Sequence, residues 1–165
     1  LRFAGPVWRR AWDEVKADFP GIETNAMHVD AVAMELIRHP GDFDIVVTEN
    51  MFGDILSDIT SALVGGVGLA PSANLNMEGV SMFEPIHGSA PRYTGQGKIN
   101  PLAAIAAAAM MLDQLGEEAA GQAVEQAITN ILGSGNIKDV GAGRMGFTTS
   151  EVGDMVAAEV KSIGK

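Results

Sequence analysis

The sequence predicts an α/β fold, and three observations carry that prediction. Phe43-Asp44-Ile45-Val46-Val47-Thr48 is a compact β-branched run, the pattern of a strand buried on both faces of a parallel sheet. It feeds directly into a helical-period segment that ends at Gly65-Gly66. Several further apolar-periodic runs each stop at Gly or Pro, giving few strands for many helices. Such a shortage is expected of a chain that begins inside a larger protein. Leu1-Arg2-Phe3-Ala4 fits that reading, having neither an initiator Met nor a targeting pattern.

In order along the chain, Val7, Trp8, Ala11, Trp12, Val15 and Phe19 recur at helical spacing from Pro6 until Pro20-Gly21. Ile22 to Val29 reads as a strand, although its alternation is poor. Asp30 then opens a short apolar helix over 31–38, closed before Pro40. After the strand at 43–48 comes a helix over 54–64. Residues 65–81 are loop-rich, Met82-Phe83-Glu84 reads as a short strand, and His87 to Lys98 is loop. Asn100-Pro101 looks like an N-cap with Pro at N1, starting an Ala-rich helix to Leu115. A further helix runs from Glu117 to Leu132. The last begins near Thr148, which has capping-box spacing with Glu151.

Composition narrows the function classes. With 165 residues, 47% hydrophobic and 19% charged, the chain is long and apolar enough to bury a core. A formal charge of −10 argues against nucleic-acid binding as a main activity. The absence of cysteine excludes thiol catalysis, disulfides and zinc-thiolate sites. No apolar run reaches the length of a membrane span and nothing resembles a signal peptide, so no membrane partner is expected and the cytoplasm is the default location.

Asn50-Met51-Phe52-Gly53-Asp54-Ile55-Leu56-Ser57-Asp58 places two carboxylates one helical turn apart, about 5–6 Å between Cβ atoms. Such a pair is either a solvated acidic edge or two oxygen ligands for a hard cation such as Mg²⁺ or Mn²⁺. Its place after a predicted buried strand favours the metal reading, because ligands of open α/β sheets gather at strand ends. Asp30 occupies a similar junction, as a plain N-cap or as a third carboxylate.

Longer motifs go further. Val29-Asp30-Ala31-Val32-Ala33-Met34, Thr48-Glu49-Asn50-Met51-Phe52-Gly53-Asp54-Ile55-Leu56-Ser57-Asp58 and Phe83-Glu84-Pro85-Ile86-His87-Gly88-Ser89-Ala90-Pro91 come in that order, followed by Asn100-Pro101 and Met110-Met111-Leu112. Over nearly its whole length the chain closely resembles the isopropylmalate and isocitrate dehydrogenase family of metal-dependent β-decarboxylating dehydrogenases. The resemblance implies that family's α/β/α fold, incomplete here as its C-terminal half. Residues 1–66 would be part of the substrate and dimerisation domain, and 67–165 the C-terminal part of the cofactor-binding domain.

By the same resemblance Asp54 and Asp58 bind Mg²⁺ or Mn²⁺, and Asp30 reaches into the partner subunit's site. The cation acidifies the substrate hydroxyl and stabilises the enolate left when CO₂ departs. His87 and Asn100 contact the adenine of NAD or NADP, and Asp139 is a further adenine contact. Gly88, Ser89 and Ala90 shape the backbone around the cofactor, and Glu84 lies near the nicotinamide. Gly66-Val67-Gly68-Leu69-Ala70-Pro71 mimics a dinucleotide fingerprint but lacks its third glycine and a preceding strand. Where NAD-dependent members commonly carry an acid, this chain has Arg92-Tyr93, a pair that suits the 2′-phosphate of NADP; the alternative is an exposed arginine with no role.

The family's substrate arginines, catalytic tyrosine and catalytic lysine match positions upstream of Leu1, so the 165-residue chain alone is expected to be inactive. The expected substrate is a 2-hydroxy dicarboxylate, first 3-isopropylmalate of leucine biosynthesis. D-malate, tartrate or an isocitrate-type acid is the alternative, as is a non-catalytic dimerisation or metal-binding module. Helices 31–38 and 54–64, with few polar positions, are expected to form a homodimer interface.

Overall fold

The computed structural model describes residues 2–164. The chain divides into two compact units, the first ending at Asp42 and the second starting at Phe43. The boundary expected at residue 66 lies inside the second unit.

The first unit holds α1 (Ala4–Lys16) and α2 (Val29–Arg38). Helix α1 stops three residues short of the predicted Phe19: its end tightens into turns, with Asp18 N donating to Val15 O and Phe19 N to Lys16 O, and Pro20 restricts Phe19 alone. No residue of α1 is buried. The Lys16 ammonium instead lies 3.7 Å over the Trp12 ring, and Val7, Val15 and Phe19 are exposed. The strand predicted over 22–29 does not form; its residues pair with no other segment among those described. In α2 only Val32 and Leu36, one turn apart, are buried. At its end His39 Nδ1 lies 2.7 Å from Glu35 Oε2. That hydrogen bond raises the His39 pKa and lowers the Glu35 pKa from their ordinary values.

In the second unit the predicted strand 43–48 does not form: Asp44 lies at a bend, the segment pairs with nothing among the described residues, and Ile45 and Val47 are 84% and 78% exposed. A β-branched run becomes a strand only beside a neighbour that takes its backbone hydrogen bonds, and the described residues offer none. Helix α3 (Asn50–Leu63) follows, beginning four residues before the predicted Asp54. The sheet consists of β1 (Pro71–Asn74) and β2 (Met82–Pro85), antiparallel, with Ser72 opposite Glu84 and Ala73 opposite Phe83. Strand β2 was expected; β1 falls in the predicted loop.

The sheet packs on α4 (Leu102–Gln114), and α4 packs on α5 (Glu118–Gly133), which packs on α6 (Thr149–Ile163). Alanines 103, 107 and 109 are buried on α4, and small side chains let α5 come close. A Cβ at Gly121 of α5 would stand 3.1 Å from the Ala109 carbonyl oxygen. The core of this unit is Leu102, Ala127, Ile131, Ile137, Met145, Val152 and Val156. Helix α6 starts as predicted: the Thr148 hydroxyl accepts from Glu151 N, and the Glu151 carboxylate accepts from Thr148 N. This hydrogen bonding holds the Glu151 carboxyl below its ordinary pKa.

Candidate functional site

The acidic pair sits on the first half of α3. The Glu49 carboxylate caps that helix, accepting from Met51 N at 2.9 Å and Phe52 N at 3.0 Å. Glutamate is not a favoured N-cap, so no sequence signal announced it. Because the helix starts at Asn50, Asp54 lies in its second turn rather than at its start. Asp54 and Asp58 are both exposed and have no cationic partner among the described residues. The hydroxyls of Ser57 and Ser61 donate to the backbone carbonyls of Asp54 and Asp58, leaving both carboxylates free of local bonds. Hard-oxygen donors with no competing cation fit a Mg²⁺ or Mn²⁺ ion.

Asp30 belongs to the other unit. It is not the N-cap of α2; His28 is, and the Asp30 carboxylate accepts from Ala31 N at 2.9 Å within the first turn. Among the described residues no three His, Asp or Glu stand together as a metal cluster.

The cofactor candidates form a second grouping. Glu84 is half-buried on β2, whose end is tied to the 65–70 segment where Ile86 N donates to Ala70 O. The His87 Nδ1 lies 2.8 Å from the Gly88 carbonyl oxygen. A carbonyl only accepts, so Nδ1 carries the proton and Nε2 presents a lone pair. That Nε2 is buried with no partner. An unsatisfied buried polar atom costs about 1–3 kcal/mol, and a ligand N–H would remove the cost.

The next turn keeps the backbone open. Gly88 has φ +62° and Ala90 φ +43°; a left-handed alanine is strained, as residues at ligand contacts often are. Ser89 is exposed between them. Pro91–Tyr93 then form a short 3₁₀ turn that leaves Arg92 exposed and Tyr93 half-buried.

Asn100 closes the loop from inside, 3% exposed. Its Oδ1 accepts from Leu102 N and its Nδ2 donates to Val140 O, both at 3.0 Å. The N-cap of α4 is Pro101, not Asn100 with Pro101 at N1 as predicted; Asn100 bonds the first helical N–H from one position further out, and it also anchors the segment beside Asp139. Asp139 Oδ1 accepts from Gly141 N at 2.8 Å, and its Oδ2 lies 3.3 Å from Arg144 Nε. Sequence reasoning missed Lys98 and Thr149 here, since loop spacing alone does not join segments as far apart as Thr149 and Ile99, and it missed Arg144, which pairs with nearby Asp139. A surface concavity lined by Leu75, Phe83, Met110, Asp113 and Gln114 includes none of the candidate residues.

Comparison with known proteins follows the same lines. The family profile described as isocitrate/isopropylmalate dehydrogenase matches residues 1–156. A 3-isopropylmalate dehydrogenase of Bacillus licheniformis is 50% identical over 92% of this chain and 42% of its own length. A probable tartrate dehydrogenase/decarboxylase of Bacillus subtilis is 42% identical over 97% of this chain and 45% of its own. Among solved structures, isocitrate dehydrogenase from Methylococcus capsulatus superposes with a TM-score of 0.88 at 32% identity, covering 97% of this chain and 47% of that one. The chain spans about half the length of the curated relatives it matches. With a mixed helix-and-strand fold and the motifs at Asp30, Asp54–Asp58 and His87–Asn100 inside the matched span, the chain belongs to the isocitrate/isopropylmalate dehydrogenase family.

Proposed function

We propose that this chain serves in an oxidative decarboxylase of a 2-hydroxy dicarboxylate that uses NAD(P) and Mg²⁺ or Mn²⁺, with 3-isopropylmalate as substrate and leucine biosynthesis as its setting. The observation that carries this reading is the cation-free carboxylate pair on α3, in a chain of this family. Asp54 and Asp58 hold the divalent ion, and Asp30 completes the ligand set from a second copy. The ion supplies Lewis-acid polarisation of the substrate hydroxyl and neutralises charge beside it. The chain's own part is to fix position: carboxylates one turn apart on a helix whose start is capped by Glu49 are held without further bonds.

At the cofactor end, His87 Nε2 accepts an amino hydrogen of the adenine, and Asn100 and Asp139 border the same ring. Gly88, Ser89 and Ala90 leave the backbone open to the nucleotide, and Glu84 faces the nicotinamide. Arg92 and Tyr93 favour NADP, since a guanidinium forks onto a 2′-phosphate where an acidic side chain would hold ribose hydroxyls. The second copy is a homodimer mate. Met34 and Ile37 on α2 are 49% and 57% exposed, and Ile55 and Leu63 on α3 are 51% and 46%. Faces of that kind call for a partner surface. No helix among the described residues is long and apolar enough to cross a membrane.

The name of the Bacillus subtilis relative favours one second reading, D-malate or tartrate as substrate, and Ser72-Ala73-Asn74-Leu75-Asn76 fits it as well. An assay of the complete gene product decides. NADP⁺ and NAD⁺ reduction is followed with Mn²⁺ and, in turn, 3-isopropylmalate, D-malate, tartrate and isocitrate. Fastest turnover with isopropylmalate is expected. Fastest turnover with D-malate or tartrate moves the assignment to the second reading, and no turnover with any of the four contradicts it altogether.

A further inference from the structure

Helix α3 has competing places to start. Its cap is Glu49, a residue type that helix starts do not favour, while Asn50 and Asp54 just after it are both of favoured types. Gly53, inside the first turn, weakens the early start further, since glycine is a poor helix former. A start at Asp54 has a chemical consequence. An N-cap aspartate turns its carboxylate back onto the N–H groups two and three residues ahead, here Leu56 and Ser57, and its backbone leaves the helical region. Asp54 and Asp58 would then no longer share a helix face, and one of the two carboxylates would be engaged by the backbone. The α3 segment contains no Lys or Arg to offset two like charges one turn apart, which also disfavours the turns that carry them.

The early start is nevertheless held, and by one residue. Glu49 is half-buried with extended backbone, φ −78° and ψ 164°. Both its oxygens are engaged: Oε2 accepts from Met51 N at 2.9 Å and Oε1 from Phe52 N at 3.0 Å. Two of the four N–H groups that a helix start leaves open are thus met by this side chain, and its negative charge sits where the helix dipole favours an anion. The Glu49 carbonyl accepts the first helical bond, from Gly53 N at 2.9 Å. Thr48 closes on the same turn, since a Cβ at Gly53 would stand 3.3 Å from Thr48 Cγ2.

We propose that Glu49 is a positioning residue for the metal site: by fixing the start of α3 at Asn50 it keeps Asp54 inside the helix, free of the backbone and on one face with Asp58. The inference rests on the reading of Asp54 and Asp58 as metal ligands. It adds to that reading a residue outside the ligand set, one that acts on the ion only through the helix.

Mn²⁺ titration of the 165-residue chain, with free Mn²⁺ followed by electron paramagnetic resonance, tests it. Glu49→Ala is expected to weaken binding about fivefold, the size of one lost cap. Glu49→Ser, which caps without a carboxylate, should recover most of that loss. Glu78→Ala, which removes an exposed acid from the turn between β1 and β2, should bind as wild type does. Circular dichroism confirms that each variant is folded. Equal binding by wild type and Glu49→Ala overturns the role of Glu49 while leaving the carboxylate pair standing. Binding by Glu49→Ser as weak as that of Glu49→Ala overturns the role too, because the carboxylate rather than the cap is then what counts, and an equal loss in Glu78→Ala reduces the effect to net charge. Failure of the wild type to bind Mn²⁺ overturns the metal reading, and the Glu49 proposal with it.

Discussion

Replacing Leu102 by alanine is expected to destabilise the second unit by about 2–5 kcal/mol, the range for emptying a closed apolar site. Leu102 is fully buried at the first turn of α4, in one cluster with Ala127, Ile131, Ile137, Met145, Val152 and Val156. The site can collapse little. Its lining comes from α5, α6 and the segment between them, and close helix approach at Gly121 already fixes α5 against α4. The thermal midpoint should fall by roughly 5–15 °C for a chain of this length. Leu115→Ala is the matched control: the same chemistry at a residue 68% exposed should stay within about 0.5 kcal/mol of wild type. Thermal unfolding followed by circular dichroism measures both. Equal midpoints for the two variants would show that the α4–α5–α6 core is not the stabilising element described here.

Substitution of Asn100 is expected to cost nearly as much, by a different route. Its amide makes two hydrogen bonds of opposite sense, accepting from Leu102 N in a buried bond and donating to Val140 O in a half-buried one. Asn100→Ala strips both, leaving a buried N–H and a carbonyl without partners, for about 2–4 kcal/mol in all. Gly68 packs closely on this side chain: a Cβ there would stand 3.2 Å from Asn100 Cβ, so position 68 has little room for anything larger than glycine. Asn100→Asp separates the two bonds: the cap to Leu102 N survives, but an oxygen now faces the Val140 oxygen. The nearly isosteric Asp should therefore destabilise the chain too, with urea unfolding as the measurement. An Asp variant as stable as wild type would mean that the bond to Val140 contributes nothing.

The helices were legible because their ends are written locally. Thr148 and Glu151 form the capping box that their spacing promised, and Asn100 bonds the first N–H of α4 from one position before the N-cap, Pro101. The helix predicted at 54–64 begins at Asn50 because an unfavoured cap, Glu49, closes it, and α1 ends early because its last residues tighten into i→i+3 turns before Pro20. Strands were less legible, since pairing is not local. Residues 43–48 have the composition of a strand and no neighbour among the described residues, whereas Pro71–Asn74 has loop composition and pairs with Met82–Pro85. Of the site, the His87 loop and the Asp54–Asp58 spacing were written in motifs. The join between loops 88–100 and 136–148 was not, because Lys98 meets Gly143 only once the segment between α5 and α6 folds back beside Asn100.

The central claim, that Asp54 and Asp58 are metal ligands rather than a solvated acidic edge, is tested most directly by Mn²⁺ titration of the chain, with free Mn²⁺ followed by electron paramagnetic resonance. Wild type should bind in the weak range of about 10⁻⁴–10⁻³ M that an exposed oxygen site supports. Asp54→Asn and Asp58→Asn should each weaken binding by at least about tenfold, because either change removes one of two charged ligands. Asp113→Asn, at the end of α4 away from the pair in sequence, should bind as wild type does. Isotherms for Asp54→Asn and Asp58→Asn that superpose on the wild-type curve would contradict the claim and return the pair to a solvated helix face.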